Sequence, residues 1–346
     1  MVEFDPEAFG RGLKGLAEGE DSPYICIARA KGLIEAAELH PLAFGLICLP
    51  IVKGTYDDSR EFLAKNLRTG TENMHAVLAG LNRVAANYRN AEQANLLLPE
   101  KVDLPEIKVT ATNAKIIFEA AVVYWCKMGL LAMLAQKVSV ECARLAVSAG
   151  VAAALWLGFM PDDVALSRAH GQWQEAANQL EKFNDDILVK MNALNAAWSG
   201  SEAQEAFTRW MDNFREEVEE CRDAVAKGAD SLKALYDTLN LECHSAFVAT
   251  VANLIVLAVM ACLSWSCPPV WKAAMEAVGA VLSINTGTRI AYAAAAIKTV
   301  LLAIRGIVGT TFVTKKEKGD AGNGVDFEEV ALSNEQIEAL VRGVNS

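Results

Sequence analysis

Leu194-Asn195-Ala196-Ala197-Trp198-Ser199-Gly200-Ser201-Glu202-Ala203-Gln204 is the stretch on which the fold of this chain turns. Upstream of it, Trp173, Ala177, Leu180, Phe183, Ile187, Met191 and Leu194 recur at spacings of three and four, one apolar stripe of a long helix. Downstream, Phe207, Trp210, Phe214, Val218, Cys221, Val225, Leu232 and Leu239 do the same. Gly200 suits the break because glycine tolerates the left-handed backbone that closes a helix. Ser201 with Gln204 has the spacing of a capping box that opens the next helix. Two stripes joined by so short a link must fold antiparallel, with arms of roughly 40 Å at about 1.5 Å per residue. Trp198, one turn beyond Leu194, is expected to fold back over the crossing.

A Trp198-Ser199-Gly200 turn between two amphipathic helices resembles the W-x-G family of helical-hairpin proteins exported by type VII (ESX) secretion. The likeness covers residues 168–240. It implies that Trp198, Ser199 and Gly200 form the export and turn motif and that a type VII secretion ATPase is a partner.

A second seam opens nearer the start. Tyr56, Leu63, Leu67, Gly70, Met74, Val77, Leu81, Val84 and Tyr88 share one face, which predicts a single helix of roughly 40 residues. Gly54-Thr55-Tyr56-Asp57-Asp58, this helix, and its ending Tyr88-Arg89-Asn90-Ala91-Glu92 resemble the EspC-like ESX-associated proteins. The resemblance also extends to the N-terminal domains of ESX-exported toxins. Tyr88 and Glu92 match the Y-x-x-x-[D/E] secretion signal of that class, a tyrosine and a carboxylate one turn apart on one helix face. In single hairpins of the class the signal follows the W-x-G turn, whereas here it precedes it. The opening Met1-Val2-Glu3-Phe4-Asp5-Pro6 has no basic region followed by an apolar run, so no Sec-type signal is expected there.

Composition points the same way on fold. Apolar residues make up 53% and charged ones 22%, alanine is abundant, and nine prolines cannot punctuate many strands, which together predict an all-α protein. With 32 basic against 43 acidic residues the net charge is −11, a balance that repels phosphate backbones and excludes nucleic acid as an expected partner. The eight cysteines lie scattered in apolar helical sequence and read as core packing. Cys262 and Cys267, bracketing a turn, are the candidate disulfide.

The chain divides into five parts. An EspC-like hairpin region is expected over 1–98, a hydrophobic helical hairpin over 99–162, and the W-x-G hairpin over 163–240. A hydrophobic helical region follows over 241–313, then a charged linker and short final helix over 314–346. Pro99 and Pro105 mark the first boundary, and Ser333 with Gln336 caps the last helix.

Ala246 to Trp265 carries no charge over twenty residues, enough to cross a bilayer core of about 30 Å. Ala246, Asn253 and Trp265 mark this candidate membrane segment, with Asn253 and Thr250 as polar interruptions. Leu145 to Met160, Val270 to Ile284 and Arg289 to Val313 are also greasy, the last broken by Lys298 and Arg305. Two readings stand: these segments are the inner helices of a soluble bundle, or they are hairpins released into a lipid membrane.

No catalytic constellation is legible. The four histidines, His40, His75, His170 and His244, stand far apart, and no zinc motif, P-loop or G-x-G-x-x-G is present, so neither an enzyme nor a metal or cofactor is expected. The leading expectation is an elongated multi-helix bundle of long amphipathic hairpins plus hydrophobic hairpins. It would act as a type VII secreted or cell-surface effector, with self-assembly or pore-forming capacity. The alternatives are a cytoplasmic helical scaffold and a resident membrane protein anchored by 246–265.

Overall fold

The computed structural model describes residues 3–40, 42–92, 128–263, 268–311 and Phe327. These residues are almost wholly helical, as the composition predicts. A two-residue strand β1 (Glu3–Phe4) leads into α1 (Pro6–Ala17), which Asp5 opens by accepting the Glu7 and Ala8 amides at 3.0 Å on Oδ1. Helix α2 (Pro23–Ala36) starts on Pro23, and a turn of 3-10 helix (Leu46–Cys48) and α3 (Leu49–Lys53) connect it to α4 (Tyr56–Glu92). Then come α5 (Met128–Leu145), a second 3-10 turn (Val147–Ala149) and α6 (Gly150–Gly158). The two arms of the central hairpin are α7 (Asp163–Ala197) and α8 (Glu202–Leu263), and α9 (Pro268–Thr311) runs back along α8.

Every apolar residue assigned to the stripes flanking the turn is buried, from Trp173 to Leu194 on α7 and from Phe207 to Leu239 on α8. On α4 the seam from Tyr56 to Val84 is buried likewise, and the side chain of Tyr88 lies outside the described residues. The body is thus two packed hairpins, α2–α4 and α7–α8. Their junction is made mainly by α2 lying on α7, while α4 rests on α2, α1 and α9.

Large aromatics fix the centre. Trp173 on α7 donates its indole N–H to Tyr56 Oη at 3.0 Å, and Tyr56 donates in turn to the Ala37 carbonyl at 2.7 Å. Both rings are fully buried, so the two polar tips satisfy one another where water is excluded. Gly228 on α8 makes room for that indole: a Cβ there would lie 2.2 Å from Trp173 Cζ3.

The sequence placed the end of the second arm at Asn240, but α8 continues without a break to Leu263. Nothing between Tyr236 and Ala246 stops it, since the stretch has neither proline nor glycine. At 62 residues α8 spans about 93 Å, and its far end, paired with α9, lies beyond the main core cluster, which reaches along α8 to Ala246. There a second, smaller core of Cys142, Ala146, Ala149, Ala152, Leu257 and Leu282 joins α5 and α6 to the α8–α9 hairpin.

Candidate functional site

In the turn that organises the chain, Trp198 is buried, Ser199 half-buried and Gly200 exposed. Gly200 has φ +77°, the left-handed conformation expected of it, and Ser201 Oγ accepts the Gln204 amide at 3.1 Å. Only half of the capping box forms, because the Gln204 side chain turns outward to donate to Thr208 Oγ1 at 3.3 Å. Trp198 does fold back, but beneath the N-terminal arm. Strand β1 pairs antiparallel with Trp198–Ser199 (β2), Glu3 opposite Ser199 and Phe4 opposite Trp198. The Asp5 amide then donates to the Ala197 carbonyl at 2.8 Å. Phe9 meets the Trp198 ring edge to face with centroids 5.6 Å apart. Trp198 has no exposed surface, and its indole N–H has no acceptor among the described residues. Gly12 lets α1 come down on the end of α7, its missing Cβ 3.1 Å from Leu194 Cδ1. The arm's role had no signal in the sequence, because a two-residue strand shows no periodicity.

Of the candidate secretion signal, Tyr88 and Glu92 stand on the last turns of α4, one turn apart, with their side chains outside the described residues. Cys126 and Cys267 also lie outside them, the second taking the candidate disulfide with it. Cys262 is exposed, and the other five described cysteines are buried. Burial pushes the Cys26 and Cys48 thiols up to about 11, which keeps them protonated and unreactive.

The apolar end of α8 and α9 is the most unusual surface. Among the described residues three helical stretches are long and apolar enough to cross a membrane: Val147–Ala197, Glu202–Leu263 and Pro269–Thr311. The first is interrupted at 159–162, and its apolar part, ending at Gly158, is too short to span alone. In α8 only 17% of the most apolar segment is buried, and in α9 only 28%. Val248, Ala252, Ile255, Val259 and Cys262 form one exposed row on α8, with Val256 and Leu263 beside it. Val270, Ala273, Ala277, Val281 and Ile284 make the matching row on α9. Contiguous exposed apolar surface on this scale is rare on proteins that stay in water.

The marker residues of that segment sort by face. Ala246 is buried on the inner seam, so it does not belong to the outer surface. Thr250, buried beside it, donates to the Ala246 carbonyl at 2.7 Å, and half-buried Asn253 donates to the Ala249 carbonyl at 2.7 Å. Both polar side chains therefore return a hydrogen bond to their own helix and leave little to be solvated. Trp265 lies outside the described residues. The same exposed character extends to α9, which the sequence had ranked behind Ala246–Trp265 because of its charges.

Other charges at this end of the molecule have specific places. Arg289 pairs with Glu242 across the hairpin at 3.3 Å, at the base of the apolar end. Beyond the pair each helix continues for about twenty residues, roughly 30 Å, to the connection at its tip. Glu276 accepts the Val147 and Ser148 amides at 3.0 Å, so it caps the turn that opens α6. Ser148 Oγ donates to the Glu276 carbonyl at 2.7 Å, and Ser283 Oγ donates to the Ser148 carbonyl at 2.6 Å. Gly279 permits this approach, since a Cβ there would lie 2.5 Å from Ser148 Oγ. A lone acid in an apolar run was the available hint of such a clasp.

Where α7 begins, Asp163 is 8% exposed; its Oδ2 accepts the Gly129 amide at 2.6 Å, and Oδ1 has no partner among the described residues. Burial first, and then the neighbouring Asp162, push its carboxyl up to about 6. Among the described residues no three His, Cys, Asp or Glu side chains converge as metal ligands. Compared with models of known families, with curated proteins and with solved structures, the chain matches none.

Proposed function

We propose that this chain is a membrane-inserting helical protein of the type VII exported class, its bundle carrying an apolar hairpin that enters a lipid bilayer. One observation carries the reading: the far ends of α8 and α9 present uncharged, outward-facing apolar rows, with only 17% of the greasiest α8 segment buried. The dimensions favour lipid over a protein groove. The apolar end is about 30 Å long, the thickness of a bilayer core, and the Glu242–Arg289 pair stands where headgroups would begin. Lys272, near the tip, has the long stem that reaches an interface. The export route rests on a W-x-G turn between two long helices and on Tyr88 and Glu92 at the end of α4. The −11 net charge gives no pull towards anionic lipid, so insertion is driven by apolar surface.

The test is flotation with zwitterionic and anionic vesicles of the intact protein and of Ile255→Lys/Val259→Lys. These two positions are 59% and 54% exposed, so lysine there is harmless in water. In a bilayer centre each lysine costs about 2.5–3.5 kcal/mol, or about 70- to 400-fold in partitioning. Wild type is expected to float with both lipids and the variant to remain below. Wild type left at the bottom with zwitterionic vesicles sinks the reading. Export is tested separately, by recovering Tyr88→Ala/Glu92→Ala and wild type from medium with the secretion system intact or deleted.

A further inference from the structure

One buried aromatic reaches the body from far along the chain. Phe327 is fully buried, and it lies between α4 and α8. Its ring meets Phe214 of α8 at 5.5 Å, and Phe214 is itself held by Phe183 at 5.9 Å and stacked on Trp210 at 4.9 Å. On the α4 side Asn73 donates its side-chain amide to the Phe327 carbonyl. Gly70, one turn earlier on the same face, has no Cβ; one would lie 3.1 Å from two carbons of the Phe327 ring and 3.2 Å from Ile27 Cδ1.

Glycine is the poorest helix former after proline, and Gly70 sits in the middle of a 37-residue helix. Its presence is explained by the ring it admits. The slot therefore reads two features of a peptide: an aromatic side chain, through Gly70, Ile27 and Phe214, and the carbonyl of the same residue, through Asn73. This is a built recognition site whose own chain supplies the ligand.

We propose that the slot is a peptide-binding site that also accepts the Phe327 segment of a second copy, so that two copies associate by exchanging it. Fifteen residues separate Thr311, the end of α9, from Phe327, a tether that reaches at most about 50 Å. The slot in a second copy is chemically identical, so exchange needs no new contact and replaces one occupant by its equal. Within one copy the covalent link favours the internal occupant over one from a second copy, so exchange is masked until the internal occupant is removed. The inference stands apart from the membrane reading, since α4 and the first half of α8 are remote from the apolar end.

Two full-length variants separate the parts. Phe327→Ala has an open slot and no key; Gly70→Leu fills the slot from α4 and frees the key. Mixed, they are expected to form a 1:1 complex at least ten-fold tighter than either forms with itself, read by sedimentation. The apolar faces of α8 and α9 are the same in both and cancel from the comparison. As a second measurement, a labelled peptide of residues 320–334 is titrated into Phe327→Ala and into wild type. It is expected to bind the variant at least ten-fold more tightly, and the same peptide with alanine at 327 is expected not to bind. A mixture no tighter than its components, or a peptide indifferent to its phenylalanine, overturns the proposal. Should Gly70→Leu lose its helical circular dichroism, the peptide comparison decides alone.

Discussion

Replacing Trp198 by alanine removes a ring with no exposed surface from beneath the N-terminal arm. Because its indole N–H has no acceptor among the described residues, the loss is one of apolar packing and cavity formation rather than of a hydrogen bond. A fully buried Trp→Ala change costs about 3–5 kcal/mol. Of this, the edge-to-face contact with Phe9 accounts for about 0.5–1.5 kcal/mol. At about 2–4 °C per kcal/mol, Tm should fall by about 6–20 °C. The damage should also be local first. Strand β1, the Asp5–Ala197 hydrogen bond and α1 all rest on this ring, so amide exchange in residues 3–17 should rise before that of α7 and α8. Thermal melts and hydrogen exchange check both parts. A loss under about 1 kcal/mol, or one without faster exchange in α1, refutes the assignment of Trp198 as the floor of that arm. The same geometry bears on export. Trp198→Ala confuses unfolding with recognition, whereas Trp198→Phe keeps most of the packing. If the folded Phe variant is no longer exported, the indole is read by the machinery; if it is exported normally, the ring serves the turn alone.

Gly228→Ala should cost about 3 kcal/mol or more, because the new Cβ falls 2.2 Å from a Trp173 ring that its bond to Tyr56 Oη holds in place. A double variant with Trp173→Leu should recover part of that in chemical unfolding, and additivity of the two changes would argue against the clash. Asp163 has a folded-state carboxyl near 6 against an unfolded value of about 3.9, so its proton stabilises the fold fully below about 4 and the benefit is lost as pH rises through 6. Asp163→Asn should therefore be more stable than wild type at pH 7.5 by about 1–3 kcal/mol and lose that advantage at pH 4; equal pH dependence of the two would refute the assignment. Glu276→Ala uncaps the turn before α6 and should speed amide exchange over 146–158 while leaving α7 unchanged. Unaltered exchange there would show that the clasp holds nothing.

Much of the body was legible because its helices are long and one-sided. A seam such as Trp173 to Leu194 fixes both a helix and its buried face, and Gly200 with Ser201 fixes the break between two of them. Helical periodicity says which residues share a face, but not whether anything covers that face. For that reason Ala246–Trp265 reads equally as core or as membrane segment from the sequence, and what the structure adds is an exposed row of Val248, Ala252, Ile255 and Val259. Long-range partners were equally invisible. Gly70 looked like one more seam position, and its reason is a phenylalanine more than 250 residues away. Glu276 carries no sign of a long-range role in the sequence, yet it caps the turn of another element.

The two cores are built from different material, and the difference has a functional consequence. The body is closed by large rings, Trp173, Trp198, Phe183, Phe207 and Phe214, each fully or almost fully buried and interlocked with its neighbours. Removing any one costs several kcal/mol, so the body opens as a unit. The far end is joined by alanine, cysteine, serine and glycine contacts around Leu257 and Leu282, with Leu254, Met275 and Val278 packed against them and the Glu276–Ser148–Ser283 hydrogen bonds as its main directional links. Small side chains let helices approach closely in water and in lipid alike, because close backbone packing does not depend on excluding water. A hairpin joined in this way can exchange its aqueous surroundings for lipid without repacking its inner face. Under the proposed function, the body capped at one end by the Trp198 turn and wedged by Phe327 would be the handle of that hairpin.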